Sequence, residues 1–487
     1  MIFILDGGRE ELRFQFFVKP MDALVDGILS HARKQGAWWE SDAIEFVQRG
    51  EKGFGVFAKK NIPRGQVIFK FPLQLGIAPS GKIKQFCEQG KISNVIALVL
   101  TAMHGLHVET KKLPYFEYLS ASNPPRIGHC WNDDEKQYLK GTSLFVDDAN
   151  QGLLNLRKIY EKDIAPLLKE LGPALFPKSS IQENKFFDAF AWVFSRALME
   201  LPPACKDVPF QGPILLPIFD MINHTSRSQL KNTTLNWINE TQAVEMLADV
   251  DMKAGEEVLN SYGDYGAAAL LRQYGFVEET PYSKIIITQE EVVATLKKFM
   301  EDHEEVNEML ASRRHELKEK DMLQMFVIDM KEKKVPVDLL TCVQVLSMED
   351  TEYWEWKEAN CIGLDIEFMD VEQAVYVTQV LVELVEACSV RYWAAPDEGA
   401  EGQVVGMVKK LIAEERQVLN RLEGAVRELV LKVSSYVSDE DESGAEVPEL
   451  EPVCKDSTLE NKKRPHDAGG AENSGSPAAK KPKTRAS

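Results

Sequence analysis

The stretch L-L-P-I-F-D-M-I-N-H-T, residues 215–225, begins as an apolar run and ends in polar groups. Asp220 interrupts it, and Asn223 and His224 follow side by side. The apolar part, residues 215–219, has the texture of a buried strand. Polar residues at the end of such a run either cap a buried element or mark the edge of a site. A lone histidine there is more often a satisfied core residue than a ligand. Metal binding would want a second histidine or a carboxylate at regular spacing. His31, His104, His107, His129, His303, His315 and His466 offer none nearby, so no metal is expected. Nor is there a G-x-S-x-G elbow for a hydrolase.

The rest of the chain bounds what this stretch can belong to. Its 487 residues, 44% of them hydrophobic, suffice for roughly three domain-sized units. The net charge of −19 argues against direct nucleic-acid binding by the folded part and suits a basic partner. The seven cysteines are dispersed without C-x-x-C spacing, which reads as reduced thiols in an intracellular protein. No apolar run is expected to reach bilayer-spanning length, and residues 1–6 are too short and too acidic-flanked for a signal peptide. A soluble protein without a membrane partner is therefore expected.

Along the chain, residues 21–35 have helical spacing. Short β-like runs follow between residues 44 and 78, and the Asn61-Ile62-Pro63-Arg64-Gly65 segment reads as a hairpin connection. The pattern is mainly helical from residue 93 to 198, notably over 155–171 and 184–198. Strand texture returns at 215–219, 235–238 and 243–247, followed by the turn K-A-G-E-E-V and then N-S-Y-G-D-Y-G. Thr288 to Glu291 fits a capping box, opening a helical region with amphipathic stretches over 291–317, 371–388 and 404–433. After residue 434 apolar content falls away, and the tail is expected to be disordered.

Five patches could carry chemistry, and each has a structural alternative. Lys52-Gly53-Phe54-Gly55 is as compatible with a plain turn as with close backbone approach to a ligand. Arg196, ending an apolar helix in F-S-R, could be a snorkelling surface group. Asp220 with Asn223-His224 could cap a strand. Tyr262 in N-S-Y-G and Tyr274 in Y-G-F could be packing residues with satisfied hydroxyls. Taken singly, none decides anything.

Their order does. G-F-G-V-F-A, S-R, D-M-I-N-H, G-E-E-V-L-N-S-Y-G and L-L-R-Q-Y-G-F occur in succession. The set resembles the SET-domain protein methyltransferases, in the branch of Rubisco large-subunit lysine methyltransferase and its ribosomal-protein and nuclear-protein relatives. The resemblance covers about residues 38–279 and, more weakly, continues to about 433. It implies an α+β protein: a SET-domain β-fold with a pseudoknot, interrupted by a helical insertion, then an all-α C-terminal domain. The expected divisions are an N-terminal helical segment (1–37), the SET domain (38–285, insertion about 90–192), a helical substrate-binding domain (286–433) and a tail (434–487).

The resemblance also implies residue roles. Lys52, Gly53, Phe54, Arg196, Asn223, His224 and Tyr274 would bind S-adenosylmethionine. Tyr262 would be catalytic, and Trp131, Asp220, Tyr262 and Tyr274 would face the substrate. Many relatives carry Arg or Lys where Phe54 stands, a change a backbone contact tolerates. The implied reaction moves a methyl group to a lysine amine, whose ordinary pKa is about 10.4. An apolar channel disfavours the ammonium form. Aligning amine, methyl and sulfur can supply on the order of 7–11 kcal/mol. The alternatives are a catalytically silent SET-fold interaction module or methylation of another side chain such as histidine. Intact Tyr262, Asn223 and His224 favour an enzyme, and retention of Tyr274 favours lysine. In the tail, Lys462-Lys463-Arg464 and Lys480-Lys481-Pro482-Lys483 match a bipartite nuclear import signal, so import machinery is an expected partner and the nucleus, with some cytoplasm, the expected location. The expected substrate is a basic protein with an exposed lysine.

Overall fold

The computed structural model describes residues 20–48, 53–110, 113–145, 152–199, 212–238, 240–300, 303–319, 325–331, 333–359, 370–394 and 401–439. Lys52, the first 19 residues and the basic tail clusters lie outside them. The strands are β1 (Trp38–Trp39), β2 (Ile44–Gln48), β3 (Phe54–Ala58), β4 (Val67–Pro72), β5 (Ala197–Leu198), β6 (Ile214–Leu215), β7 (Asn223–His224), β8 (Thr233–Ile238), β9 (Ala243–Ala248), β10 (Leu259–Asn260), β11 (Lys284–Thr288) and β12 (Met325–Asp329). Small sheets built from distant pieces are the theme. One runs β1-β4-β9-β8, and β2-β3, β5-β6, β7-β10 and β11-β12 form pairs.

Between β4 and β5 lies the helical insertion. Ser93 caps its helix Asn94–His107, accepting from Ile96 N–H at 3.3 Å, which satisfies an otherwise orphaned donor. Eight residues of that helix are buried, against the helix Glu183–Arg196 among others. Residues 156–171 are helical throughout, with a π-turn at Tyr160–Ile164.

Several local expectations are corrected. The segment 61–65 does not join a hairpin: β3 pairs with β2, whereas β4 pairs with β1 and β9. Ile62 instead bridges Met252, with N–H···O contacts of 2.9 and 2.8 Å in the two directions. The expected strand over 215–219 stops at Leu215. Pro217 has no N–H to donate, and Ile218 sits at φ 77° before the 3₁₀ turn Phe219–Met221. A β-branched residue there is strained by about 1–3 kcal/mol, and the bend aims Asp220 sideways.

Among its described residues, the C-terminal region is helical apart from β12. β12 pairs antiparallel with β11 across Lys284–Thr288, its alternate residues Phe326 and Ile328 buried. The capping box forms as read: Thr288 Oγ1 accepts Glu291 N–H (3.1 Å), and Glu291 Oε2 accepts Thr288 N–H (2.7 Å). The amphipathic stretch 291–317 is two helices, Gln289–Leu296 and Glu304–Glu319. One further expectation fails: the helix Val371–Val390 does have the length and composition to cross a bilayer, with mean hydropathy 1.2. Here it is a core helix against Gln403–Asp439, with Val377, Val380 and Leu384 fully buried. That long helix reaches back to the insertion, where Glu415 accepts Ser143 N–H at 3.0 Å and the Tyr392 hydroxyl at 3.0 Å.

Candidate active site

The bend after Leu215 and the pairing of β7 with β10 create the site. β7 and β10 pair in parallel, Asn223 opposite Leu259 and His224 opposite Asn260. Residues 256–260 are held on both sides. Val258 N–H donates to Val56 O at 2.7 Å, and Leu259 N–H donates to the Asn232 side chain at 2.8 Å. The chain then enters S-Y-G, so Tyr262 emerges beside the D-M-I-N-H segment. Its hydroxyl donates to Ile222 O (2.8 Å), and its N–H donates to His224 Nδ1 (2.9 Å).

A cavity of about 440 Å³ opens here, a size typical of small-molecule sites. Its wall includes Arg196, Leu198, Phe219, Asp220, Leu235, Ser261, Tyr262, Tyr265 and Tyr274. Four of the expected residues, Arg196, Asp220, Tyr262 and Tyr274, therefore come together. The helix Glu183–Arg196 ends by placing Arg196 Nη1 3.0 Å from both Asp220 O and Asp220 Oδ2. The guanidinium also lies 4.9 Å from the Trp192 ring centroid. Asp220 Oδ2 additionally accepts the Tyr115 hydroxyl from the insertion. Burial opposes a charged Arg196, but Asp220, Tyr118 and Tyr115 outweigh it and hold its pKa above the ordinary range. Asp220 Oδ1 is buried without a hydrogen-bond partner among the described residues. A lone buried acceptor of this kind is matched by a ligand's N–H or cationic group.

The opposite wall is aromatic. Tyr262 and Tyr274 have ring centroids 5.0 Å apart, and Tyr265 lies 5.6 Å from Tyr274. Burial, against the pull of Arg196, raises the Tyr262 hydroxyl above its usual pKa, and burial followed by Tyr265 raises that of Tyr274. Both stay neutral, able to donate or accept hydrogen bonds, and their faces attract positive charge.

The remaining expected residues sit elsewhere. Gly53, Phe54, Asn223, His224 and Trp131 are absent from the cavity wall. Phe54 and Asn223 do meet: Asn223 Nδ2 donates to Glu257 Oε1 at 2.7 Å and approaches Phe54 O at 3.5 Å. Gly55 is pressed against this pair, where a Cβ would come within 2.8 Å of Glu257 Oε1 and 3.0 Å of Asn223 Nδ2. Gly53, at φ 77°, supplies the left-handed turn before β3. The His224 ring is buried and fully engaged internally. Trp131 is 3% exposed and its indole N–H donates to Arg126 O at 3.0 Å, so it is a packing residue rather than a wall of this cavity.

Sequence reasoning missed Tyr265, Tyr115, Glu257 and Glu278. Tyr265 had a signal, a second tyrosine in Y-G-D-Y-G. Tyr115 had none, because its partner Asp220 is 105 positions away. Chemically, the site offers water exclusion, hydroxyl dipoles, aromatic faces and one unpaired carboxylate oxygen. It suits orienting a cation or amine more than attacking a substrate.

Comparison with known proteins agrees. Residues 53–263 match the SET domain family. The chain is 23% identical over 359 residues to the N-lysine methyltransferase SETD6 of Rattus norvegicus, covering 70% of this chain and 73% of the relative. It is 29% identical over 244 residues to the N-lysine methyltransferase setd6 of Salmo salar, covering 47% and 51%. Among solved structures, Rubisco LSMT bound to AdoMet has a TM-score of 0.57 at 16% identity over 87% of this chain and 97% of that one. The SET domain of LSMT bound to lysine and AdoHcy gives the same TM-score and coverage. At that identity the likeness establishes the fold.

Proposed function

We propose that this SET-domain protein is an S-adenosylmethionine-dependent protein-lysine N-methyltransferase of the Rubisco large-subunit methyltransferase type. The observation that carries the reading is the position of Tyr262. It follows β10, where that strand pairs in parallel with β7, and lines a cavity shared with the Asp220–Arg196 pair and Tyr274. Similarity to N-lysine methyltransferases of the SETD6 type supports it.

The residues present fit such a donor and such a substrate. Aromatic faces suit a sulfonium or a developing ammonium, and Asp220 Oδ1 is an acceptor awaiting a partner. When bound, the donor supplies an electrophilic methyl group on a good leaving group. The backbone at Gly53 and Phe54, with Asn223, Arg196 and Tyr274, would hold it. This chain's own residues do the rest. The buried wall disfavours the charged amine, so a lysine entering it is biased toward its neutral nucleophilic form. Tyr262 and Tyr274, both kept as neutral hydroxyls, orient the amine lone pair along one line. Tyr262 is itself held by Ile222 O, and Arg196 and Tyr115 hold Asp220. Catalysis is then mainly alignment in a dry cavity, worth on the order of 7–11 kcal/mol when the geometry is right.

Retention of Tyr274 favours lysine over histidine as the acceptor. The acidic chain favours a basic target, such as a ribosomal or nuclear protein, by electrostatic complementarity. The two basic clusters of the tail favour nuclear import, with a cytoplasmic fraction. Incubating isotopically labelled S-adenosylmethionine and a cell extract with the wild-type chain or Tyr262→Phe tests the reading. Labelled protein bands should appear with the wild type and be lost with the variant. Equal labelling by both, or none by either, would refute it.

A further inference from the structure

We propose that the His224 side chain positions Tyr262, with its tautomer set by Ser226 and Glu278, and leaves the donor to its neighbours. The inference rests on the methyltransferase reading only in taking Tyr262 as the catalytic residue.

The geometry around the ring is closed. Nδ1 accepts the Tyr262 N–H at 2.9 Å, across 38 positions of sequence. A nitrogen that accepts carries no proton, so the proton of the neutral ring belongs on Nε2. There it meets Ser226 Oγ at 2.9 Å and Glu278 Oε1 at 3.3 Å. Glu278 Oε1 also accepts the Ser226 N–H at 2.6 Å, which fixes carboxylate and hydroxyl together. The ring face lies 4.9 Å from the Tyr262 ring and 6.1 Å from Phe276. With a side chain 1% exposed and both ring nitrogens engaged, the imidazole has no surface left for a ligand.

A chain of contacts therefore runs from Glu278 through Ser226 and His224 to the backbone of Tyr262. Its first member follows Y-G-F, whose Tyr274 forms the facing wall. Glu278 thus joins the two tyrosine-bearing segments on one imidazole, and Tyr262 cannot shift without breaking the Nδ1 contact. Among the described residues, Glu278 is the charged group facing the ring, beside Ser226, Tyr262 and Phe276. A protonated ring would point an N–H at the Tyr262 N–H, and the contact would be lost.

The test uses the full chain with 15N-labelled histidine, His224→Asn identifying the signal. At neutral pH the His224 Nδ1 should appear unprotonated and Nε2 protonated; the opposite tautomer overturns the proposal. Kinetics supply the second arm. Asn places a side-chain acceptor where Nδ1 stands, whereas Gln places one at Nε2. We expect His224→Ala and His224→Gln to lose about 100-fold in kcat, the cost typical of a misplaced reacting group. His224→Asn should recover at least about tenfold of this, and S-adenosylmethionine affinity by calorimetry should stay unchanged in all three. Donor affinity falling in step with kcat, or Asn no better than Gln, assigns His224 to donor binding and sinks the idea. Should the Ala variant fail to fold, the Asn–Gln comparison decides. A wild-type chain that neither binds donor nor transfers methyl defeats the functional reading, while the tautomer measurement still decides the positioning.

Discussion

Replacing Arg196 with Met removes one charge from a pair 3.0 Å apart whose Asp220 side chain is 2% exposed and whose Arg196 side chain is 20% exposed. At an effective dielectric of about 20, their attraction is about 5 kcal/mol. Desolvating two ions cancels much of that, so the intact pair adds little net stability. Breaking it is another matter. Arg196→Met leaves a buried carboxylate with only the Tyr115 hydroxyl, and should cost about 3–5 kcal/mol. Asp220→Asn leaves the guanidinium without its counter-charge, held only by the residue-220 carbonyl and the Trp192 ring, and should cost a similar amount. The double variant buries no charge and keeps the Tyr115 contact through the amide oxygen, so it should be more stable than either single change. The implied coupling is about 2–4 kcal/mol. Urea unfolding followed by tryptophan fluorescence measures it, since Trp192 lies against the guanidinium. Single costs that add in the double variant to within about 0.5 kcal/mol would show the two residues to be independent.

Tyr262→Phe should lower kcat by roughly 10²–10³-fold, the range for loss of a positioned hydrogen-bonding group, with donor affinity retained; calorimetry beside turnover separates the two. Gly55→Ala drives a Cβ into the Asn223–Glu257 contact. It should weaken S-adenosylmethionine binding at least as much as Asn223→Ala, and equal affinity to wild type would remove that contact from the donor site. Burial lowers the His224 pKa below 6.5, with Glu278 opposing. The unfolded chain then takes up a proton first on acidification, so the stability tied to the neutral ring is complete above about pH 6.5 and lost as pH falls below it. Unfolding midpoints of wild type and His224→Asn should diverge above that pH and converge below it. Glu415→Leu strands Ser143 N–H and the Tyr392 hydroxyl in the interior. It should cost about 1–3 kcal/mol, read as a lowered denaturation midpoint.

What could be read from the sequence was local or ordered. The Thr288–Glu291 capping box needs only three intervening peptide units, and its two reciprocal bonds form as expected. The helices of the insertion follow from apolar spacing. Long-range pairing has no such signature, and there the reading failed. Pro63 and Gly65 indicate a turn, but nothing in them says that β3 and β4 belong to different sheets. The run 215–219 looked like a strand because periodicity cannot register the left-handed Ile218. Arg196 and Asp220 were legible as two separate motifs, and their 3.0 Å contact emerged only with the fold. Tyr115 and Glu278 were invisible because their meaning lies wholly in partners 105 and 52–54 positions away. Trp131 packs outside this cavity's wall, and tryptophans that pack and tryptophans that bind look alike in sequence.

The pairing of β7 with β10 also governs when this protein can act. Asn223 and Leu259 are neighbours in the ladder yet 36 positions apart, and Val56 must find Val258 across 202 positions. Closing such spans costs entropy before any contact repays it, which makes this pairing a late event in folding. A nascent chain emerging amino-terminus first would have its insertion and first sheets available while the Tyr262 segment was still being synthesised. Half-made or half-unfolded copies therefore have no aligned tyrosine and transfer nothing. Activity becomes a readout of completed topology, and lost specific activity should precede loss of helix content when the chain is gently destabilised.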